Sequence, residues 1–189
     1  MRLDEVVRRF GDAVTLEWRA FLLRPEAKER DRDKFVEYTR SWQRPAEMEE
    51  GASFTTPWAS DAPAPRGSIP AHVAAQTMAG RAPEAAEPFH QRLLGAYFTE
   101  NRDISDWQVL ADLAGEVGVD PREFLTLADE QQASLVEVIL REHNDAVQQG
   151  ITAVPTVVID DVLPVPGAQD VATFEHWIGR LIERRNAGS

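Results

Sequence analysis

The stretch from Ile151 to Asp160 constrains the fold of this chain most, because a proline stands directly before an apolar, β-branched run. Proline lacks an N–H and cannot sit inside a central strand, so Pro155 belongs at the start of a strand. The preceding residue, Val154, is biased toward extended geometry, and Gly150 marks the end of a helical pattern. The sequence therefore predicts a strand over 156–160.

A second short apolar run covers 162–166, after the acidic pair Asp160-Asp161. Two acidic residues between apolar runs are typical of a turn, so the two runs are predicted to be the last two strands. Gly167-Ala168-Gln169 then leads into an amphipathic pattern over 170–185. That pattern predicts a C-terminal helix.

The first part of the chain carries both periodicities. Apolar residues spaced three and four apart over 3–10 predict an amphipathic helix. Strict alternation over 14–22 predicts a strand, ended by Arg24-Pro25, and 33–42 follows as a helix. Because strands near both ends must share one sheet around helical material, we expect an α/β fold.

Residues 45–68 are rich in proline and glycine and show little periodicity, which predicts a long loop. We favour an ordered loop over a disordered one, because Phe54 and Trp58 need a place to bury. Trp58 either lines a substrate cleft or anchors the loop to the helices that follow.

The stretch 68–149 is helical in pattern throughout. Ser68 and Ser105 are predicted to cap two of its helices. Asp120-Pro121 is predicted to open a short helix, and 133–149 to form the last one.

Composition excludes several classes of function. The formal net charge of −12 argues against binding nucleic acid or anionic membranes, and no apolar run is long enough to span a bilayer. The chain contains no cysteine, which excludes disulfides, thiolate metal sites and cysteine nucleophiles within these residues. Its histidines do not occur at metal-motif spacing, so no metal site is predicted. These histidines are His72, His90, His143 and His176.

Several stretches together resemble one family, the DsbA-like thioredoxin group, and within it the FrnE-like branch. This branch is related to 2-hydroxychromene-2-carboxylate isomerases and kappa-class glutathione transferases. The stretches are Val14 to Pro25 (VTLEWRAFLLRP), Ser68-Ile69-Pro70-Ala71-His72, Phe89 to Asp120, Ala153-Val154-Pro155-Thr156 and Gly167-Ala168-Gln169. The resemblance implies a thioredoxin-like fold with an inserted all-helical subdomain. It divides the chain into a thioredoxin-like part over 1–44, a loop and helical insertion over 45–149, and a second thioredoxin-like part over 150–189.

The resemblance fails at the start of the chain. In the family, a first strand leads to a CxxC motif at the N-terminus of the first helix, where the helix dipole stabilises the thiolate. Here Met1 falls where that helix is already under way, so the strand and motif are missing, about 20 residues by ordinary element lengths. We expect a start site assigned too late or a truncated chain, in preference to a true cysteine-free relative. Without the central strand, we also expect exposed strand edges and self-association.

The resemblance also implies a site and an activity. Val154, Pro155 and Thr156, with a cis Val154–Pro155 bond, and Gly167, Ala168 and Gln169 would bind substrate; Trp58 and His72 would border a cleft. The expected function is thiol–disulfide exchange with thiol or disulfide proteins or peptides, inactive as written because the dithiol is absent. One alternative is a glutathione-dependent isomerase or transferase acting on a small molecule. Another is a non-catalytic module that binds peptides or a partner. No catalytic residue, metal or cofactor is predicted, apart from glutathione under the first alternative. The start of the chain lacks the apolar core of a secretory signal, so we expect a cytoplasmic protein.

Overall fold

The computed structural model describes residues 2–23, 26–48 and 53–187. Packing divides the chain into two units: unit 1 is Met1–Phe21 with Glu142–Ser189, and unit 2 is Leu22–Arg141. The segments predicted from the sequence, 1–44, 45–149 and 150–189, stay a prediction.

Helices make up most of the described residues. In chain order they are α1 (Arg2–Phe10), α2 (Arg32–Thr39), α3 (Gln43–Met48), α4 (Ile69–Arg81), α5 (Pro83–Leu94), α6 (Trp107–Glu116), α7 (Pro121–Gln148) and α8 (Val171–Ala187). Short 3₁₀ turns cover Gly11–Ala13 and Arg40–Trp42, and a π-helical turn covers Gly95–Thr99. The strands are β1 (Thr156–Ile159) and β2 (Leu163–Pro166).

The two strands form an antiparallel hairpin in unit 1. Thr156 lies opposite Pro166, and Ile159 lies opposite Leu163. Because proline has no N–H, the pairs that exchange two hydrogen bonds are Val157 with Val165 and Ile159 with Leu163. The predicted strands over 156–160 and 162–166 are confirmed to within one residue.

Helices α1 and α8 complete unit 1. Val6 of α1, Val165 of β2 and Phe174 of α8 are buried together. Burial of each of these apolar side chains stabilises the fold by about 2 kcal/mol. The predicted helices over 3–10 and 170–185 are confirmed as α1 and α8, because their apolar stripes face this core.

The strand predicted over 14–22 is wrong, since all of these residues are described and none belongs to a strand. The alternation survives in part: Leu16 and Ala20 are more buried than their polar neighbours. A strand, however, needs a hydrogen-bonded neighbour. The backbone N–H of Ala20 instead donates to the carboxylate Oε2 of Glu142 at 2.7 Å. The predicted strand end at Arg24-Pro25 lies outside the described residues.

Two predicted helices prove to be one. Helix α7 runs unbroken for 28 residues, where the sequence suggested a short helix at Asp120-Pro121 and a separate one over 133–149. No glycine or proline interrupts the stretch between them, so nothing ends the helix. Asp120 does cap it, as predicted: its Oδ1 accepts the backbone N–H groups of Arg122 and Glu123.

Ser68 occupies the N-cap position of α4, as predicted, but its side chain makes no capping hydrogen bond. The predicted cap at Ser105 is wrong. The cap of α6 is Asp106, whose Oδ1 accepts the N–H of Gln108 at 2.7 Å. Ser105 instead donates its hydroxyl to Asp103 at 2.5 Å. A carboxylate is the stronger acceptor beside a helix N-terminus, where the dipole favours negative charge.

Helices α4, α5, α6 and the start of α7 form the main core of unit 2. More than half of its buried side chains are alanines, and the larger ones include Phe89, Leu110 and Phe124. Small side chains let helix backbones approach closely, so this part of the chain packs as an all-helical layer around few bulky residues.

A second core in unit 2 is built from aromatic rings. Trp58 lies 5.1 Å from Phe35 and 6.3 Å from Trp42, ring centre to ring centre. Tyr97 and Phe98 of the π-helical turn pack against Trp42 at 5.1 and 5.0 Å. The loop that carries Trp58 is therefore anchored by side-chain packing.

Hydrogen bonds hold the same loop at its backbone. Asn101, 1% exposed, accepts the N–H of Ala59 at 2.7 Å and donates to the C=O of Thr55 at 3.2 Å. The hydroxyl of Thr39 accepts the N–H of Trp58 at 2.7 Å. Asn101 has φ of 54°, a left-handed conformation that asparagine tolerates well after a helix. Of the predicted loop 45–68, the first residues, 45–48, belong instead to α3, and 53–68 are ordered by these contacts.

Candidate functional site

The start of β1 and the end of β2 lie side by side in the hairpin. The six residues predicted to bind substrate lie at this end. Because Thr156 pairs with Pro166, the loop 153–156 and the turn 167–169 sit at the same end of the hairpin. The structure therefore brings together residues that the sequence separates by a strand, a turn and a second strand.

A short set of hydrogen bonds ties the loop to the turn. The N–H of Gly167 donates to the C=O of Pro155 at 2.8 Å. Within the loop, the Thr156 hydroxyl donates to the C=O of Ala153 at 2.7 Å. Within the turn, the Gln169 side-chain amide donates to the C=O of Pro166 at 2.6 Å. Gly167 has φ of 79°, a conformation that favours glycine.

The loop offers polar backbone groups to solvent. The Val154–Pro155 peptide bond is cis, and Val154 is 45% exposed. In the described part of the chain, the backbone N–H and C=O of Val154 make no hydrogen bond. An unpaired backbone donor and acceptor on an exposed residue can pair with an extended chain.

Arg2, at the start of α1, also contacts the turn. Its Nη1 donates to the C=O of Ala168 at 2.9 Å and to the C=O of Gln169 at 3.1 Å. Asp170 caps α8, and hydrogen bonds from the Thr173 hydroxyl and N–H hold the pKa of its carboxyl below the usual range. The nearby Arg2 charge lowers the pKa of Asp170 further.

Arg2 was not among the residues predicted to form the site. One signal was present, since a cation in the first turn of a helix opposes the helix dipole and so calls for another stabilising contact. The acids Asp4 and Glu5 occupy the same turn and are the residues expected there.

The two residues predicted to border a cleft lie in unit 2. Trp58 is 2% exposed and packed among aromatic rings, which fits the alternative that it anchors the loop. His72 lies on α4. Burial and, to a smaller extent, the nearby His90 together lower its pKa to about 4. Burial also lowers the pKa of His90.

The loop and turn provide binding groups and no reactive ones. The six residues contribute backbone donors and acceptors, an amide and a hydroxyl, and the chain has no cysteine. Across the ranges that the structure describes, no group of three or more metal-ligating side chains was found. None of the helices in those ranges is long and apolar enough to cross a membrane.

The hairpin with its preceding proline loop, the flanking helices α1 and α8, and the helical insertion define a thioredoxin-like fold of the α/β class. The DSBA-like thioredoxin domain matches residues 1–179. The chain belongs to this family, which contains thiol–disulfide oxidoreductases. The sequence of this chain contains no cysteine and therefore no CxxC motif.

Solved structures share the fold at low sequence identity. A provisionally named protein disulfide isomerase from Nitrosomonas europaea is 15% identical with a TM-score of 0.76, covering 96% of this chain and 88% of that one. A provisionally named DsbA oxidoreductase from Streptomyces coelicolor is 20% identical with a TM-score of 0.73, covering 95% and 81%. The cytosolic disulfide reductase DsbM from Pseudomonas aeruginosa, solved with GSH, is 18% identical with a TM-score of 0.61, covering 80% and 76%.

One curated relative has higher identity over a shorter stretch. Protein YwbO of Bacillus subtilis is 33% identical over 90 residues, which is 48% of this chain and 44% of YwbO. The match therefore spans less than half the length of that relative.

Proposed function

We propose that this chain is the substrate-binding scaffold of a thiol–disulfide oxidoreductase of the FrnE-like branch, and that loop 153–156 binds an extended thiol- or disulfide-bearing polypeptide. The observation that carries the proposal is the exposed, unpaired backbone of Val154, held against the turn by the Gly167–Pro155 hydrogen bond. A substrate strand that pairs with Val154 gains two backbone hydrogen bonds, each contributing about 1 kcal/mol. The likeness of 89–120 to the FrnE-like branch supports the choice of branch.

The chemistry needs a thiolate that these 189 residues do not contain. Exchange proceeds by attack of a thiolate on a disulfide sulfur through a mixed disulfide, so the chain alone binds substrate without turning it over. Purified chain is expected to leave the rate of insulin reduction by dithiothreitol at the uncatalysed value. A rate above that control would reveal a reactive group outside the proposed scheme.

Binding is tested by nuclear magnetic resonance on ¹⁵N-labelled chain. The probe is a short extended peptide with a central S-methylated cysteine, which cannot exchange disulfides. We expect its chemical-shift changes to concentrate at 153–156 and 167–169. The matched control is the same peptide with its cysteine N-methylated, which removes one donor and should raise Kd about fivefold. Equal affinities, or shift changes confined to unit 2, would contradict the proposal.

A second candidate function is a glutathione-dependent isomerase or transferase. Its support is the structure of DsbM with GSH, which has the same fold. In this case S-methylglutathione should bind the loop more tightly than the peptide does. The residue encoded just upstream of the Met1 codon would separate the two: a cysteine at the head of the first helix favours the oxidoreductase, and a serine favours the glutathione-dependent enzyme.

The third candidate, a non-catalytic module that binds peptides or a partner, applies if no upstream reading frame exists.

We also propose that the protein is cytoplasmic, with DsbM, a cytosolic protein of the same fold, as support. Fractionation of cells that express the tagged protein from its own gene tests this, and a periplasmic or extracellular signal would contradict it.

A further inference from the structure

We propose that Arg2 is a positioning residue for loop 153–156. Its guanidinium fixes the turn 167–169, and that turn holds the loop in the conformation that binds substrate. The proposal rests on the proposed function and adds to it a residue that is remote in sequence from the loop.

Arg2 contacts the turn at two backbone carbonyl groups. One nitrogen, Nη1, donates to two successive carbonyl oxygens, those of Ala168 and Gln169, at 2.9 and 3.1 Å. Hydrogen bonds from a charged donor are stronger than neutral ones, and acceptors on two adjacent residues fix the orientations of two consecutive peptide units.

The turn passes this constraint to the loop through one hydrogen bond. Gly167, the residue before Ala168, donates its N–H to the C=O of Pro155 at 2.8 Å. Movement of Ala168 would displace Gly167, and that displacement would release Pro155. Val154 is bonded to Pro155, so the backbone groups that receive substrate depend on the same turn.

Arg2 is not needed to attach α1 to α8. Arg9, near the other end of α1, forms ion pairs with Glu175 of α8 and with Glu5. Val6 and Phe174 are buried together between these two helices. Loss of Arg2 should therefore loosen the turn while the helix pair stays in place.

The test compares Arg2→Met with Arg9→Met, because methionine keeps the apolar stem of arginine and removes its donors. Amide hydrogen exchange at Gly167 reports the link between turn and loop. In Arg2→Met we expect this exchange to accelerate about tenfold and the Kd for the S-methylated peptide to rise about fivefold. In Arg9→Met both should stay at the wild-type value, although the melting temperature should fall at least as far. Arg2→Lys, which keeps a charged donor, should recover at least half of each change.

The outcomes separate the two proposals. Unchanged exchange at Gly167 in Arg2→Met overturns the role of Arg2, whether or not the peptide binds. Equal acceleration in Arg9→Met overturns it as well, since the effect would then come from loosening the helix pair. Failure of the wild-type chain to bind peptide overturns the proposed function, while the exchange data still decide whether Arg2 fixes the turn.

Discussion

Replacement of Asn101 by alanine is expected to be among the most destabilising single changes in unit 2. The Asn101 side chain is buried and binds the loop of Thr55 and Ala59 from both sides of its amide. Alanine removes those hydrogen bonds and must also adopt the left-handed conformation that asparagine holds there.

The expected loss follows from two contributions. The N–H of Ala59 loses a 2.7 Å partner in a partly buried position, and an unsatisfied donor of this kind costs about 2 kcal/mol. An alanine with positive φ adds about 1 kcal/mol. Asn101→Ala should therefore lower the free energy of unfolding by about 3 kcal/mol. Asn101→Gly, free of the second contribution, should lower it by about 2 kcal/mol.

Urea unfolding followed by far-ultraviolet circular dichroism measures both losses. The order of the variants is the critical result. If alanine were no worse than glycine, the backbone contribution would be absent. If both variants stayed within about 0.5 kcal/mol of wild type, the Asn101 hydrogen bonds would not hold the loop.

Two further predictions concern pH and association. The pKa of His72 is lowered to about 4 from an unfolded value of 6.5, so its contribution to stability is complete above pH 6.5 and is lost as pH falls toward 4. Urea unfolding of unit 2 should lose about 2 kcal/mol between pH 7.5 and pH 5, and His72→Gln should remove most of that loss. Separately, sedimentation should detect self-association through the free edge of β1. The N–H of Val158 faces away from β2, so Val158→Pro should lower the associated fraction, whereas Val162→Thr in the exposed turn should not. A wild-type chain that stays monomeric at all concentrations would contradict this.

The elements that the sequence predicted well are those whose pattern and packing agree. The apolar residues of α1 recur every 3.6 residues, so they form one buried face only in a helix. Pro155 lacks an N–H, so it stands before β1 and not inside it. The loop and the turn of the candidate site were instead predicted from the resemblance to the DsbA-like family, and their role in binding stays a prediction. Their juxtaposition follows from the hairpin register.

The sequence was a poorer guide where structure depends on a distant partner. Alternation over 14–22 is a genuine strand pattern, but a strand forms only where another backbone supplies hydrogen bonds. The contact of Arg2 with the C=O of Ala168 joins residues 166 positions apart, and no local periodicity reports such a contact. The continuity of α7 was missed for the opposite reason, since two apolar stretches were separated by polar residues that are good helix formers.

The two prolines of β2 make the two edges of the hairpin different. Pro164 and Pro166 lie opposite Val158 and Thr156 in pairs that do not exchange hydrogen bonds, so their nitrogens face the outer side of the sheet. That side presents backbone acceptors without the matching N–H donors, so another strand cannot pair with it along its length. Within the described hairpin, only the β1 side offers both donors and acceptors to a neighbouring strand. Two copies related by a twofold axis would pair through their β1 strands and satisfy each other's backbone hydrogen bonds. The two β2 strands would then form the outer edges, which cannot pair with a third copy. Association would therefore stop at a dimer and would not extend into a fibre.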